Sequence, residues 1–206
     1  MRPLLVVTCL ALAAPALAQP FSEPQPLVQP STIPEARDVA YSGTIRLEVD
    51  ATDLQRRIYR VVETIPVSRA GPLTLLYPEW LPGNHGPRGP IASLAGLTIT
   101  AGGRTLPWRR DPRDVYAFHV DVPAGVREIR LAFQHLSPTD PEQGRVTVTP
   151  NMLNLQWEKM SLYPAGYFVR NIPVQASVTL PAGWTAATSL DVESRRGNRL
   201  AFRPAS

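Results

Sequence analysis

The sequence predicts an all-β domain, an antiparallel β-sandwich. Three observations predict it. Short runs rich in β-branched and aromatic residues recur along the chain, clusters of Pro, Gly and Asp separate them, and no amphipathic helical period is sustained anywhere. The chain has 206 residues, enough for one domain with a sizeable core.

The elements follow in order. Residues 1–18 have the layout of a secretory signal: Arg2 gives the positive start, Leu4 to Ala14 the apolar run, and Ala16-Leu17-Ala18 a small-x-small cleavage site. That run is too short for a membrane-spanning helix, so cleavage and export to a periplasmic or extracellular space are expected. Residues 19–38, with Pro20, Pro24, Pro26, Pro30 and Pro34, read as an extended, poorly ordered leader. The sandwich is expected over residues 39–206.

Strands are expected at Val39 to Asp50, Arg57 to Val67 and Leu73 to Tyr77, then at Leu94 to Ala101 and Thr105 to Trp108 around a Gly102-Gly103 hairpin turn. In Val115 to Val122, Phe118, Val120 and Val122 alternate against Ala117, His119 and Asp121. Glu128 to Leu136 places Ile129, Leu131 and Phe133 on one face. Arg145 to Thr149, Leu153 to Trp157, Val174 to Leu180, Trp184 to Leu190 and Arg199 to Arg203 complete the set.

Composition excludes several classes. Cys9 is the single cysteine and falls in the signal, so the exported protein must fold without disulfides. The net charge of +4 comes from scattered arginines rather than from a basic stripe with stacking aromatics, which argues against nucleic acid as a partner. The three histidines, His85, His119 and His135, have no second ligand at helical zinc spacing. His119 reads as a surface or second-sheet residue, and His135 as a satisfied histidine at the rim of the core. No Gly-x-Ser-x-Gly elbow, nucleophilic cysteine or phosphate loop is present. No catalytic, metal or cofactor residue is therefore assigned.

One stretch stands apart. Tyr77 to Pro90 carries Pro78, Pro82, Pro87 and Pro90 with Gly83, Gly86 and Gly89, so it can be neither a helix nor a central strand. It is a stiff loop that displays Trp80, Asn84, His85 and Arg88 as candidate contact residues. Two readings stay open for Trp80. As a core plug it would cost about 3–5 kcal/mol to truncate; as a ligand platform it would cost little. With Trp108, Trp157 and Trp184 it could also line a glycan-binding face, against the plainer reading that all four fill the core.

Tyr77-Pro78-Glu79-Trp80-Leu81-Pro82-Gly83-Asn84, Gly102-Gly103, Trp108 and the strand from Asp114 to Val122 form an ordered set. Ser137-Pro138-Thr139-Asp140, Asn151 to Trp157 and Ser161-Leu162-Tyr163-Pro164-Ala165-Gly166 extend it. From Val39 to Arg203 the chain resembles the N-terminal domain of the glycyl-aminopeptidase-type metallopeptidases, family sixty-one. The resemblance implies a sandwich beside a zinc domain carrying His-Glu-x-x-His, and often a PDZ domain. This chain lacks that motif, so zinc is expected only in a catalytic domain outside it. The expected function is that of a non-catalytic accessory or cleft domain of a secreted zinc aminopeptidase. Its partner would be the catalytic domain, in cis if the chain is a fragment, and a peptide substrate is possible. The alternative is a stand-alone extracytoplasmic module that binds peptide or glycan.

Overall fold

The computed structural model describes residues 30–143 and 147–206. The signal region lies outside the described residues. The chain from Thr32 onward forms one compact unit, so folded structure begins before residue 39, inside the stretch assigned to the leader.

Among the described residues twelve strands make two sheets. The larger runs β11 (Val192–Arg196), β12 (Arg199–Phe202), β10 (Val174–Thr179), β1 (Ile45–Asp53), β2 (Ile58–Pro66), β8 (Glu128–Leu136), β4 (Leu94–Ala101) and β5 (Arg104–Leu106). The smaller runs β6 (Trp108–Arg110), β7 (Ala117–Val122), β3 (Gly71–Leu76) and β9 (Tyr163–Pro164). All pairs are antiparallel except β1 with β10, which is parallel. The all-antiparallel expectation is corrected there. The chain reaches β10 only after building most of both sheets, and so enters beside β1 in the same direction.

Alternation explains the faces. β8 alternates between exposed and buried residues, with Ile129, Leu131, Phe133 and His135 inward. Gly102 and Gly103 take φ of 53° and 76°, the two positive values a two-residue hairpin turn demands. Three expectations fail. Trp184 to Leu190 forms no strand, and between Thr147 and Trp157 only an isolated Val148–Leu153 bridge forms. β11 was missed because all five of its residues are exposed, leaving no one-sided pattern to read.

Both sheets contribute to one core, with Leu47, Val61 and Ile99 from the larger and Leu75, Phe118 and Val120 from the smaller. Glu63 lies within it at 0% exposure. Its place between Leu47 on β1 and Leu131 on β8 puts it on the inward face of β2. The carboxyl accepts from the Ser161 hydroxyl at 2.5 Å and the Leu162 N–H at 3.0 Å. Burial pushes its pKa up to about 8, opposed by the Ser161 and Leu162 hydrogen bonds. The native protein thus keeps a proton there that the unfolded chain loses near 4.5. Between those values the folded state binds more protons, so stability falls as pH rises and levels off above about 8.

Glu63→Gln has the shape and hydrogen-bonding groups of the protonated acid. It should match wild type at pH 5 and exceed it at pH 9 by more than about 1.4 kcal/mol, the worth of a one-unit pKa difference. Urea denaturation at the two pH values measures this. Parallel pH dependences for the two proteins would exclude Glu63 as the titrating group.

Candidate functional site

The proline-rich loop leaves β3 under tight control. Tyr77 is buried, with its N–H on the Tyr116 carbonyl at 2.8 Å and its hydroxyl on the Lys159 carbonyl at 3.0 Å. Leu81-Pro82-Gly83-Asn84 is a turn closed by Asn84 N–H on the Leu81 carbonyl, with Gly83 at φ 77°. The return limb is fixed by a Trp80–Pro87 bridge and by Gly89 N–H on the Glu79 carbonyl at 2.8 Å. A Cβ on Gly89 would stand 1.9 Å from the Pro78 carbonyl oxygen, so the two limbs close only around glycine.

Leu81, not Trp80, is the apolar plug of this loop. Trp80 is 64% exposed, which overturns its core-plug reading. It borders an open groove of about 670 Å³ together with Glu79, Pro82, Trp157 and Glu158. Leu47, Val174 and Ala176 of the β1–β10 pair also line the groove. The far wall is the segment that Glu63 holds through Ser161 and Leu162. Trp157 stands edge-on to Phe202, with ring centroids 5.6 Å apart. Asn84, His85 and Arg88 are exposed and lie outside the groove lining. Of the four candidates, only Trp80 is brought to it.

The groove is apolar with one sign of charge. Glu79 and Glu158 are its carboxylate side chains, beside the Tyr163 phenol, and no Lys, Arg or His lines it among the described residues. Partial burial, then the nearby Asp114 carboxylate, raise the pKa of Glu79. Sequence reasoning missed Glu79 and Glu158 as residues of one groove, because 79 residues separate them and only the folded chain brings both to its lining.

Trp108 and Trp184 pack against the core rather than forming a platform with Trp80. The Trp108 indole N–H donates to the Leu97 carbonyl at 3.1 Å.

A hydroxyl–imidazole–carboxylate chain lies elsewhere. Thr74 Oγ1 is 3.1 Å from His119 Nδ1, and His119 Nε2 is 2.8 Å from Asp111 Oδ2. Of the two expected places for His119, the structure gives the second: it lies on β7 of the smaller sheet and is enclosed rather than at the surface. Asp111 also accepts from the Thr32 hydroxyl at 2.6 Å and from the N–H groups of Arg113 and Asp114. These bonds, Thr32 and His119 foremost, hold its pKa far below the usual carboxylate range. With Thr74 buried and every Asp111 partner structural, this network ties Thr32 to the smaller sheet.

His135 is corrected too: it is inward-facing as expected, but its Nδ1 has no hydrogen-bond partner among the described residues. Burial, then Lys159, push its pKa down to about 4, so it is neutral. A zinc ion does not fit these residues. Both nitrogens of His119 are engaged, and among the described residues no three His, Cys, Asp or Glu side chains converge.

The family model of the Peptidase M61 N-terminal domain matches residues 46–206. The chain belongs to that family. No curated protein matches the sequence. An aminopeptidase N family protein from Idiomarina loihiensis superposes with a TM-score of 0.60 at 16% identity, over 77% of this chain and 27% of that one. An M1 zinc metallopeptidase from Deinococcus radiodurans, solved with a Tyr-Ser-Ala substrate, gives 0.39 at 16% identity, over 80% and 38%. Yeast LTA4 hydrolase with bestatin gives 0.45 at 9% identity, over 79% and 26%. The first of these likenesses shows the fold. The chain spans about a quarter to two-fifths of the lengths of these structures.

Trp80→Ala should change unfolding free energy by less than about 1 kcal/mol, as at other exposed sites. Tyr77→Ala should cost about 3–5 kcal/mol, the range for truncating a buried aromatic. Chemical denaturation of both variants checks the pair, and a large loss in Trp80→Ala would restore the core-plug reading.

Proposed function

We propose that this domain is the non-catalytic cleft wall of an exported zinc aminopeptidase. The observation that carries it is Trp80, held exposed on a braced loop at the mouth of an apolar groove. Family membership supports a catalytic domain as its partner. That domain would supply zinc and the general base, neither of which the residues here can provide. The groove offers dry surface for an apolar side chain and two carboxylates for a cationic group. Among the described residues it offers no activated nucleophile: the Ser161 hydroxyl is bonded to Glu63, whose buried carboxyl keeps its own proton at neutral pH and cannot act as the base.

The expected consequence is kinetic rather than structural. In a full-length enzyme of the family, the change corresponding to Trp80→Ala should lower kcat/KM for peptide substrates at least fivefold. Zinc content and Tm should stay at wild-type values. Asn84→Ala/Arg88→Ala, which alters only the exposed tip, should have the smaller effect. Unchanged kinetics in the Trp80 variant would remove the groove from the substrate path.

The second reading is a stand-alone peptide- or glycan-binding module, favoured by the exposed Trp80 indole beside an apolar groove. It requires the chain alone to bind such ligands with micromolar affinity, and titration calorimetry separates it from the first.

A further inference from the structure

A second cavity lies on another part of the domain. Thr32 to Tyr41 runs as a strap, pinned by Thr32 on Asp111, by Arg37 N–H on the Gly166 carbonyl at 3.2 Å and by Tyr41 N–H on the Asn171 carbonyl at 3.0 Å. The Tyr41 hydroxyl donates to the Pro66 carbonyl, and its ring meets Tyr167 edge-on at 5.0 Å. The strap, the turn after β2 and the start of β3 enclose about 520 Å³, lined among others by Pro34, Glu35, Arg37, Arg69, Leu73 and Tyr167. That volume suits a small organic ligand.

Its charges are unspent. Arg46, Arg170 and Arg199 each pair with a carboxylate. Neither the Arg37 nor the Arg69 guanidinium has an ion-pair or hydrogen-bond partner among the described residues, although both line one cavity. A guanidinium presents a planar fork matched to a carboxylate. Pro34, Leu73 and Tyr167 add apolar surface to the same lining. Glu35, on the same lining, opposes a second negative charge.

We propose that this pocket binds a small monocarboxylate with a compact apolar body, such as the free α-carboxylate end of an amino acid derivative or short peptide. It uses no residue of the groove, so it stands or falls separately from the proposed function.

The test is an NMR titration of the full chain with N-acetyl-L-leucine, L-leucine, L-leucinamide and pyrophosphate. N-acetyl-L-leucine should give saturable shifts confined to the strap, the Val67–Arg69 turn and the residues around Tyr167. L-leucine binding equally would assign the site to free amino acids, and weaker binding would assign it to blocked or peptide ends. Leucinamide and pyrophosphate should not compete. Arg37→Ala/Arg69→Ala should raise Kd at least tenfold with Tm unchanged. Arg69→Ala alone gives the same reading if the double variant is unstable. Absence of saturable binding, equal binding of leucinamide, or unaltered affinity in the arginine variants would overturn the proposal.

Discussion

A four-stranded sheet cannot cover the inner face of an eight-stranded one. Strands lie about 4.8 Å apart, so the larger sheet is wider by roughly 19 Å. Apolar residues of β12, β10 and β1 accordingly line grooves bordered by Trp157 and Trp184 as well as joining the shared core. Every later feature of the site follows from how that surplus is covered. Irregular chain must lie on an apolar floor, and each of its backbone polar groups must find a partner there.

Several partners come from residues in or beside the strands. Three tyrosines donate to carbonyls of irregular chain, Tyr59 to Asn154, Tyr77 to Lys159 and Tyr116 to Gly89, while Tyr41 of the strap donates to Pro66 at the end of β2. A tyrosine suits this task because its ring adds to the core while its hydroxyl serves the irregular chain at the edge. Glu63 does the same for an N–H and a hydroxyl, and costs stability wherever the pH would ionise it. Neither Gln156 nor Phe168 caps its short 3-10 turn with a side chain, and for the Trp157–Lys159 turn and the residues after it the tethering comes from Tyr77 and Glu63.

The sheets were legible because one-sided burial writes a period of two into β7 and β8, and because Gly102-Gly103 admits little besides a hairpin turn. β11 was illegible because neither of its faces is buried, although Gly197-Asn198 before β12 was a turn signal that could have found it. The strap was read as leader because its prolines dominate composition, while Thr32 and Arg37 are held by Asp111 and Gly166, distant in sequence. The stiff loop could be located from its prolines, but not the side on which Trp80 would emerge. Composition says how large and apolar an indole is, not whether Leu81 beside it takes the core position instead.

That substitution of Leu81 for Trp80 in the core links the fold to the site. A loop that plugs the core with a leucine is anchored without using its largest side chain, which stays free to face the groove. Pro82, Pro87 and the Gly89–Glu79 bond fix the backbone around it, so little conformational freedom remains to be lost when the indole meets a ligand or a partner domain. Immobilising a mobile side chain on association costs about 0.5–1.5 kcal/mol, and here much of the backbone share of ordering is met during folding. The glycine at position 89 is what permits this, since a side chain there would force the Pro78 carbonyl away and open the loop that holds Trp80 at the groove.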